Sequence, residues 1–517
     1  MKLRIIAGLV GCLAITFLAS YVRAEGRIVS PMLCGANSMF FIAGLYYGTL
    51  PASDPESRRD EFIKILRQIN MHTLRFPGGT DANSKFLADN PGVMRSVLGV
   101  DGYPEGGKNK FTTLWQFLDF CKAADITPMY QVNTLLYTDG KTVFKLIDVA
   151  RPGDSEPSPC VLDVSKRTDA AKALTALVKQ VKEKGYTVKH WELGNEEYGG
   201  PRMKAEDYAD IARRYIRAIR AADRDAMIWV TLGSNHCAES DKQNIPPWSR
   251  EVLKRLKAAG LTKDKNLGFT LHYVWPGYFI DFHVKMVKEY GFAPRFAVTE
   301  FHMAGLGDYS DLSPRFGYAL ELAPYLIGTA CEPNVEMLYI HELTSQNFGI
   351  IHYNQRSYGP PGMETWDASL GYQLMPAAYV YELFGQLIGG TILPIDRRDD
   401  TRLVVEKGKE RLIFFVNRTV NPVTVQWERD VVGEDTKRFE CRTMIPVTRP
   451  QGTNDEKDAS ARALGRSAYP SDPLRADQIE KQTQSGAIGP KGMTLTVPSY
   501  SINLVRCTTA KGTTKPK

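Results

Sequence analysis

The sequence predicts an α/β fold: a (β/α)8 barrel with an additional antiparallel β-sandwich at its C-terminal end. Three observations predict it. From about residue 32 to 390, short apolar runs alternate with amphipathic helical stretches, the pattern of parallel strands joined by helical crossovers. Eight such units fit into this stretch, as a barrel with long loops requires. After residue 390 the style changes to short β-rich runs separated by turns. A doubly wound open sheet is the alternative for the first part, but no Gly-rich phosphate fingerprint follows the first strand.

The elements follow in order. Lys2 and Arg4 precede an apolar run over residues 5–22, and Val22-Arg23-Ala24 offers a small-residue cleavage site. Residues 1–24 therefore read as an export signal cleaved after Ala24, which predicts a secreted or periplasmic protein. An uncleaved membrane anchor is the competing reading, since the run approaches the ~20 residues a span needs. Leu9-Val10-Gly11-Cys12 also resembles a lipobox, although cleavage there leaves only a short apolar region. No later segment is apolar enough for a span, so membrane contact is expected only through this leader.

The eight strand candidates are MLCGANSMF (32–40), HTLRFPGG (72–79), TPMYQVN (127–133), KHWELGNE (189–196), MIWVTLGSN (227–235), GFTLHYVW (268–275), RFAVTEFH (295–302) and VEMLYIHEL (335–343). Helical patterns lie between them. Residues 54–70 place Phe62, Ile65 and Leu66 on one face; 112–125 begin with a Thr suited to capping; 169–185 and 249–260 close on Gly; and 205–223 repeat apolar residues every three or four positions. A long apolar helix over 376–390 ends the barrel, giving a predicted barrel domain of 32–390. The β-sandwich is then expected over 391–510, with 27–31 a candidate extra strand and 446–490 a long polar loop, mobile or covering the barrel.

Composition is ordinary for a globular chain of 517 residues, 43% hydrophobic and 24% charged. Formal net charge is +7; three of the 65 Lys and Arg lie in the leader, leaving 62 against 58 Asp and Glu. That excess forms no concentrated stripe, which argues against a nucleic-acid partner. One of the eight cysteines, Cys12, lies in the leader, and the odd number remaining leaves at least one unpaired. Cys441 and Cys507 are candidates to pair in the C-terminal region. HELTS (341–345) lacks the second His of a zinc protease, and GPPGMET (359–365) lacks the Lys of a phosphate-binding loop. Asn417-Arg418-Thr419 is a sequon.

The chemistry concentrates in WELGNEEY (191–198), three carboxylates at the end of a buried strand. In a barrel strand alternate residues face inward. Glu192 and Glu196 then point inside and Trp191 and Leu193 outside. Glu196 stands at the C-terminal end of the strand, where barrel active sites lie. Glu192 lies deeper, as a structural acid with a basic or polar partner, and Glu197 falls in the following loop, solvated or in a supporting position. Glu300 ends the seventh strand; alternation groups it with Phe296 and Val298 on the inner face. Two strand-end carboxylates across a cleft are what glycoside hydrolysis needs, one protonated to donate to the leaving oxygen and one ionised to attack or to activate water. The bland reading is two unrelated structural acids.

Four stretches carry a resemblance: LRFPGGTDANSKF (74–86), FLDFCKAADITPMYQVN (117–133), VKHWELGNEEYGG (188–200) and the helix over 205–223, with VPSYSINLVRC as a closing sandwich strand. The chain resembles the retaining glycoside hydrolases of clan A, most closely the α-L-arabinofuranosidase family with its heparanase and β-glucuronidase relatives. The likeness extends over most of residues 28–505 apart from the 446–490 loop. It implies a carbohydrate substrate and no metal or organic cofactor, since two carboxylates suffice. It implies Glu196 as general acid/base and Glu300 as nucleophile, with carboxyl groups ~5–5.5 Å apart. Asn195 would bond the hydroxyl beside the anomeric carbon, which requires the strand to end or kink there. Arg75 would hold Glu300 ionised. Gly78 and Gly79 would let backbone approach the sugar. Asn133, His272, Tyr273, Trp275 and His302 complete the implied substrate-binding set, and Trp275, Tyr278 and Trp366 are candidate platforms for sugar faces.

Two departures stand out. The family's sixth strand carries His-x-Tyr, with the Tyr on the nucleophile; here His272-Tyr273-Val274 puts Val in the Tyr position. Either Tyr273 serves through a shifted register or another group does. The nucleophile context is Thr299-Glu300-Phe301-His302 rather than Asp-Glu-Trp-Asn, which weakens arabinose in particular more than hydrolysis. β-Glucuronidase-like, heparanase-like, β-xylosidase-like and endo-glycanase activities are the alternatives among enzymes. A non-catalytic carbohydrate-binding protein is the alternative outside them.

Overall fold

The computed structural model describes residues 26–40, 42–79, 112–139, 142–147, 161–199, 203–233, 245–272, 278–302, 315–344, 348–354, 370–394, 401–447, 474, 476 and 478–509. The leader, Tyr273, Val274, Trp275 and Trp366 lie outside these residues, as do the side chain of Tyr278 and most of the 446–490 stretch.

Eight parallel strands close into a barrel in which each neighbours the next in the chain. They are β1 (Gly35–Asn37), β2 (Thr73–Phe76), β3 (Thr127–Val132), β4 (His190–Leu193), β5 (Met227–Thr231), β6 (Leu267–His272), β7 (Phe296–Phe301) and β8 (Val335–Ile340). The crossovers carry α1 (Arg59–Gln68), α2 (Leu114–Ala124), α3 (Arg167–Glu183), α4 (Ala205–Ala222), α5 (Ile245–Ala258), α6 (Tyr278–Glu289) and α7 (Phe316–Cys331), and α8 (Pro376–Phe384) follows β8. Thr113 caps α2 in a reciprocal box with Gln116. α7 is buried nearly all round and has Pro324 inside it. A helix apolar on every face shows no amphipathic period, so the sequence pattern does not mark it.

Alternation along the strands separates two cores. Outward residues such as Trp191, Leu193, Phe296 and Val298 join the large core beneath the helices. Inward residues Met129, Met227, Trp229, Ala297, Met337 and Tyr339 form a separate plug inside the barrel. Gly268 makes room for that plug, since a Cβ there would lie 2.5 Å from the Trp229 ring. The plug fills the barrel from below and leaves the ends of the strands to polar side chains.

The expected inner face of β7 is corrected by this packing. Phe296 and Val298 face the helices, and Ala297 faces the interior. Glu300 still reaches the mouth because the pairing of β7 with both β6 and β8 shifts register between Val298 and the strand end. The extra residue of a bulge reverses the side-chain alternation, which places Glu300 directly opposite His272.

The C-terminal region forms a six-stranded antiparallel sheet and a two-stranded one around their own core. The larger sheet contains β9 (Thr391–Ile392), β10 (Arg402–Lys407), β11 (Glu410–Asn417), β13 (Arg438–Pro446), β14 (Ile479–Ala487) and β16 (Ser501–Thr508); β12 (Val423–Trp427) pairs with β15 (Met493–Val497). Ile28 bridges Thr391 antiparallel, and Arg27 donates to the carbonyls of Ala330, Glu332 and Val335. The 446–490 stretch is not one long loop. Residues 479–487 pair along the whole of β13, and Phe316 N–H donates to Ala476 O at the start of α7.

Cys441 and Cys507 are both buried free thiols, so the expected pairing is not formed. Asn417 is buried and uses its amide on Asn421 O and Pro498 O, at 2.9 and 2.8 Å, so the folded sequon presents no free acceptor nitrogen. Among the described residues no helix is long and apolar enough to cross a membrane.

Candidate active site

The floor of the barrel mouth is a buried ionic layer centred on Arg75, with no exposure. Its Nε donates to Glu192, Nη1 to Asn37 Oδ1 at 2.9 Å and to Glu300 Oε2 at 3.5 Å, and Nη2 to Asn195 Oδ1 at 2.6 Å. Glu192 is fully buried as the deep partner of this guanidinium. Burial works against the Arg75 charge, but Glu192 and Glu300 outweigh it and raise its pKa. The guanidinium is thus a fixed cation shared between a structural carboxylate and Glu300.

The turn after β4 sets the next layer. The strand ends at Leu193, and Gly194 takes φ +83°. A Cβ at Gly194 would stand 1.5 Å from Glu197 Oε1, so both backbone and space demand glycine. That kink carries Asn195, which simple alternation would face outward, onto Arg75. Glu196 follows with φ +52°, a left-handed backbone unusual for a non-glycine residue. Glu197 is fully buried rather than solvated: its Oε1 accepts from Thr134 Oγ1 at 2.6 Å and from Asn195 N–H at 2.7 Å. It pins the turn that presents Asn195 and Glu196. Gly194→Ala is expected to cost about 2 kcal/mol or more and to lower the melting temperature measurably; an unchanged melting temperature would contradict this account of the turn.

The mouth brings Glu196, His272 and Glu300 together. His272 Nδ1 lies 2.9 Å from Glu196 Oε1 and 3.8 Å from Glu300 Oε2. One ligand-capable atom from each of the three falls within 4.8 Å of the others. The Glu196 side chain is 26% exposed and that of Glu300 only 8%. The outer carboxyl can therefore exchange protons with solvent, while the inner one is held. Two carboxyl groups and an imidazole so arranged can pass a proton and keep one carboxylate ionised. They also form the set that offers a metal ion two carboxylates and an imidazole, donors zinc accepts.

His272 takes up a proton more readily than a free imidazole. Burial opposes the charge, but Glu300, the hydrogen bond to Glu196 and the Glu196 charge raise the pKa overall. A raised folded-state value stabilises the fold fully below the unfolded pKa of about 6.5 and loses that stabilisation as pH rises through the folded pKa. Wild type is therefore expected to lose thermal stability relative to His272→Asn as pH goes from 6 to 9. A difference independent of pH would refute the assignment.

The remaining expected site residues divide. Gly78 and Gly79 have φ +80° and +65°, and their nearest neighbours are residues 37–39. Their freedom is used for close approach to the end of β1, and Gly79 O also accepts from Gln131. Asn133 Oδ1 accepts from Leu135 and Leu136 N–H, so that oxygen shapes its own loop. His302 lies against the rings of Tyr318 and Phe348; burial first, then His341, pushes its pKa down to about 3. It stands beside Glu300 as a neutral imidazole. Tyr273 and Trp275 lie outside the described residues.

Sequence reasoning missed His341, whose Nδ1 lies 3.6 Å from Glu300 Oε1. Its position as the first residue after β8 was the available signal.

The comparisons with known proteins agree with this architecture. No protein-family model matches the chain. A probable α-L-arabinofuranosidase C of Aspergillus terreus is 23% identical over 203 residues, 38% of this chain and 37% of the relative. An intracellular exo-α-(1→5)-L-arabinofuranosidase of Acetivibrio thermocellus is 24% identical over 215 residues, 41% of this chain and 39% of the relative. The matched region thus spans less than half of either curated relative. Among solved structures, the GH51 arabinofuranosidase from Xanthomonas axonopodis pv. citri superposes with a TM-score of 0.59 at 18% identity, covering 94% of this chain and 98% of its own. The chain has the fold of these enzymes and, over part of its length, is similar in sequence to arabinofuranosidases. A monomeric β-xylosidase from Caulobacter crescentus CB15 shares the fold at a TM-score of 0.55 and 16% identity, over 94% of this chain and 98% of its own.

Proposed function

We propose that this protein is an exported retaining glycosidase that cleaves oligo- or polysaccharides by double displacement, with α-L-arabinofuranosides as the leading substrate class. Glu300 attacks the anomeric carbon while Glu196 gives its proton to the leaving oxygen. Water then hydrolyses the glycosyl ester, with Glu196 as base. Asn195, held by Arg75, would bond the hydroxyl beside the reacting carbon.

The observation that carries this reading is the spacing around His272. One carboxyl oxygen of Glu196 and one of Glu300 lie within 4.8 Å of each other, which is compatible with the ~5–5.5 Å between the carboxyl groups of retaining enzymes. The export reading rests on the leader over residues 1–24, and cleavage after Ala24 would leave a secreted or periplasmic enzyme. The Thr299-Glu300-Phe301-His302 context weakens arabinose in particular, and the second reading is a β-xylosidase-like enzyme, a class found on the same fold.

The test is a panel of aryl glycosides, followed by polysaccharide digestion with product sizing. Release of the aryl group from the arabinofuranoside above all others is expected. A preference for the β-xyloside would select the second reading. No hydrolysis of any member, with oligosaccharides still bound, would point to a carbohydrate-binding protein instead.

A further inference from the structure

We propose that His341 is a positioning residue for Glu300, donating from Nδ1 to Oε1 and holding the attacking carboxylate on the side that Arg75 and His272 do not reach. The inference rests on the glycosidase reading and deepens it.

The two oxygens of Glu300 face different partners. Oε2 faces Arg75 Nη1 at 3.5 Å and His272 Nδ1 at 3.8 Å, and Oε1 faces His341 Nδ1 at 3.6 Å. Arg75 cannot fix this carboxylate alone. Its guanidinium also serves Glu192, Asn37 and Asn195, and its contact with Glu300 is the longest of the four. His341, at the end of β8, brings a donor to the other oxygen of the carboxylate.

The backbone holds His341 in place for this. Its N–H donates to Phe301 O at 2.8 Å, tying it to β7 one residue past Glu300. Glu342, the next residue, exchanges backbone hydrogen bonds with Phe348 and Ile350, and the Phe348 ring lies 5.5 Å from the imidazole. His341 Nδ1 has no hydrogen-bond partner of its own among the described residues. A contact just beyond hydrogen-bond length in the free site can tighten in the substrate complex.

The chemistry uses such a donor in both steps. When Oε2 bonds to the anomeric carbon, the bond to the leaving oxygen breaks and that oxygen takes the proton of Glu196. Oε1 becomes the carbonyl oxygen of the ester. In the second step water gives a proton to Glu196 and bonds to carbon, and the carbon–Oε2 bond breaks to restore the carboxylate. An N–H on Oε1 keeps the carboxyl plane aimed throughout.

The test compares His341→Ala, His341→Asn and His341→Gln with wild type on an aryl glycoside that wild type cleaves, with melting temperatures measured in parallel. The Ala variant is expected to lose ~10²-fold in kcat with KM changed less than ~3-fold. Asn can place an amide N–H where Nδ1–H stood and is expected to recover ~10-fold of that loss, whereas Gln, reaching toward the Nε2 position, is not. Unchanged kcat in the Ala variant overturns the proposal. So does an Asn variant as slow as Ala at wild-type melting temperature. A wild type that cleaves no glycoside sinks the glycosidase reading and this inference together; an active wild type with an unaffected Ala variant sinks only this inference.

Discussion

Replacing Glu300 with Ala is expected to reduce turnover of every cleaved glycoside by ~10⁴-fold or more, because the covalent step loses its nucleophile. The loss should not depend on the leaving group. Glu196→Ala should behave differently. A dinitrophenyl leaving group departs without protonation, so the glycosyl ester still forms and a burst of phenol appears. Its hydrolysis is then slow, since no base activates water. Azide needs no base and should restore turnover of Glu196→Ala, yielding a glycosyl azide. The structure provides for this asymmetry: Glu300 is nearly enclosed, and Glu196 is open enough to exchange protons with solvent. Azide rescue of Glu300→Ala instead, with a burst in neither variant, would reverse or remove these roles.

The second large effect is on stability. Arg75 and Glu192 are both without exposure and form an ion pair. Removing the cation leaves a buried carboxylate with no counter-charge, which typically costs ~3–5 kcal/mol. Arg75→Met is therefore expected to be destabilised by about that much in denaturant titrations and to be inactive. Adding Glu192→Gln removes the stranded charge and should recover much of the stability. It should not recover activity, because Asn195 and Glu300 still lack the guanidinium that orients them. A single variant within ~1 kcal/mol of wild type would show that the pair contributes little. Restored catalysis in the double variant would show that Arg75 serves folding alone.

Both predictions depend on residues whose convergence was partly legible in the sequence. The eight strands and their order follow from apolar runs of the right length and spacing, and the barrel follows from their alternation with helices. Arg75, Asn195, Glu196, His272 and Glu300 all stand at or just past strand ends, which is why a linear reading could place them over one mouth. The reading of β7 went wrong because alternation assumes a regular strand. A bulge changes which face each later side chain takes, and nothing in Val298-Thr299-Glu300 announces one. For Glu197 the sequence leaves a solvated and a supporting position open; the supporting one holds, and it depends on Thr134, 63 residues away. β14 was hidden by composition, since an exposed edge strand reading IEKQTQSGA presents polar side chains along nearly its whole length. His341 could be located as a strand-end residue, but its pairing with Glu300 depends on the register of β7 against β8.

The central claim is that Glu196 and Glu300 act through a covalent glycosyl-enzyme. Its most direct test is the anomeric configuration of the first sugar released by wild type, followed by proton NMR before mutarotation. The account predicts retention, the α-glycoside giving the α-sugar first. First release of the opposite anomer would mean single displacement by water, and would contradict it despite the close approach of the two carboxyl groups.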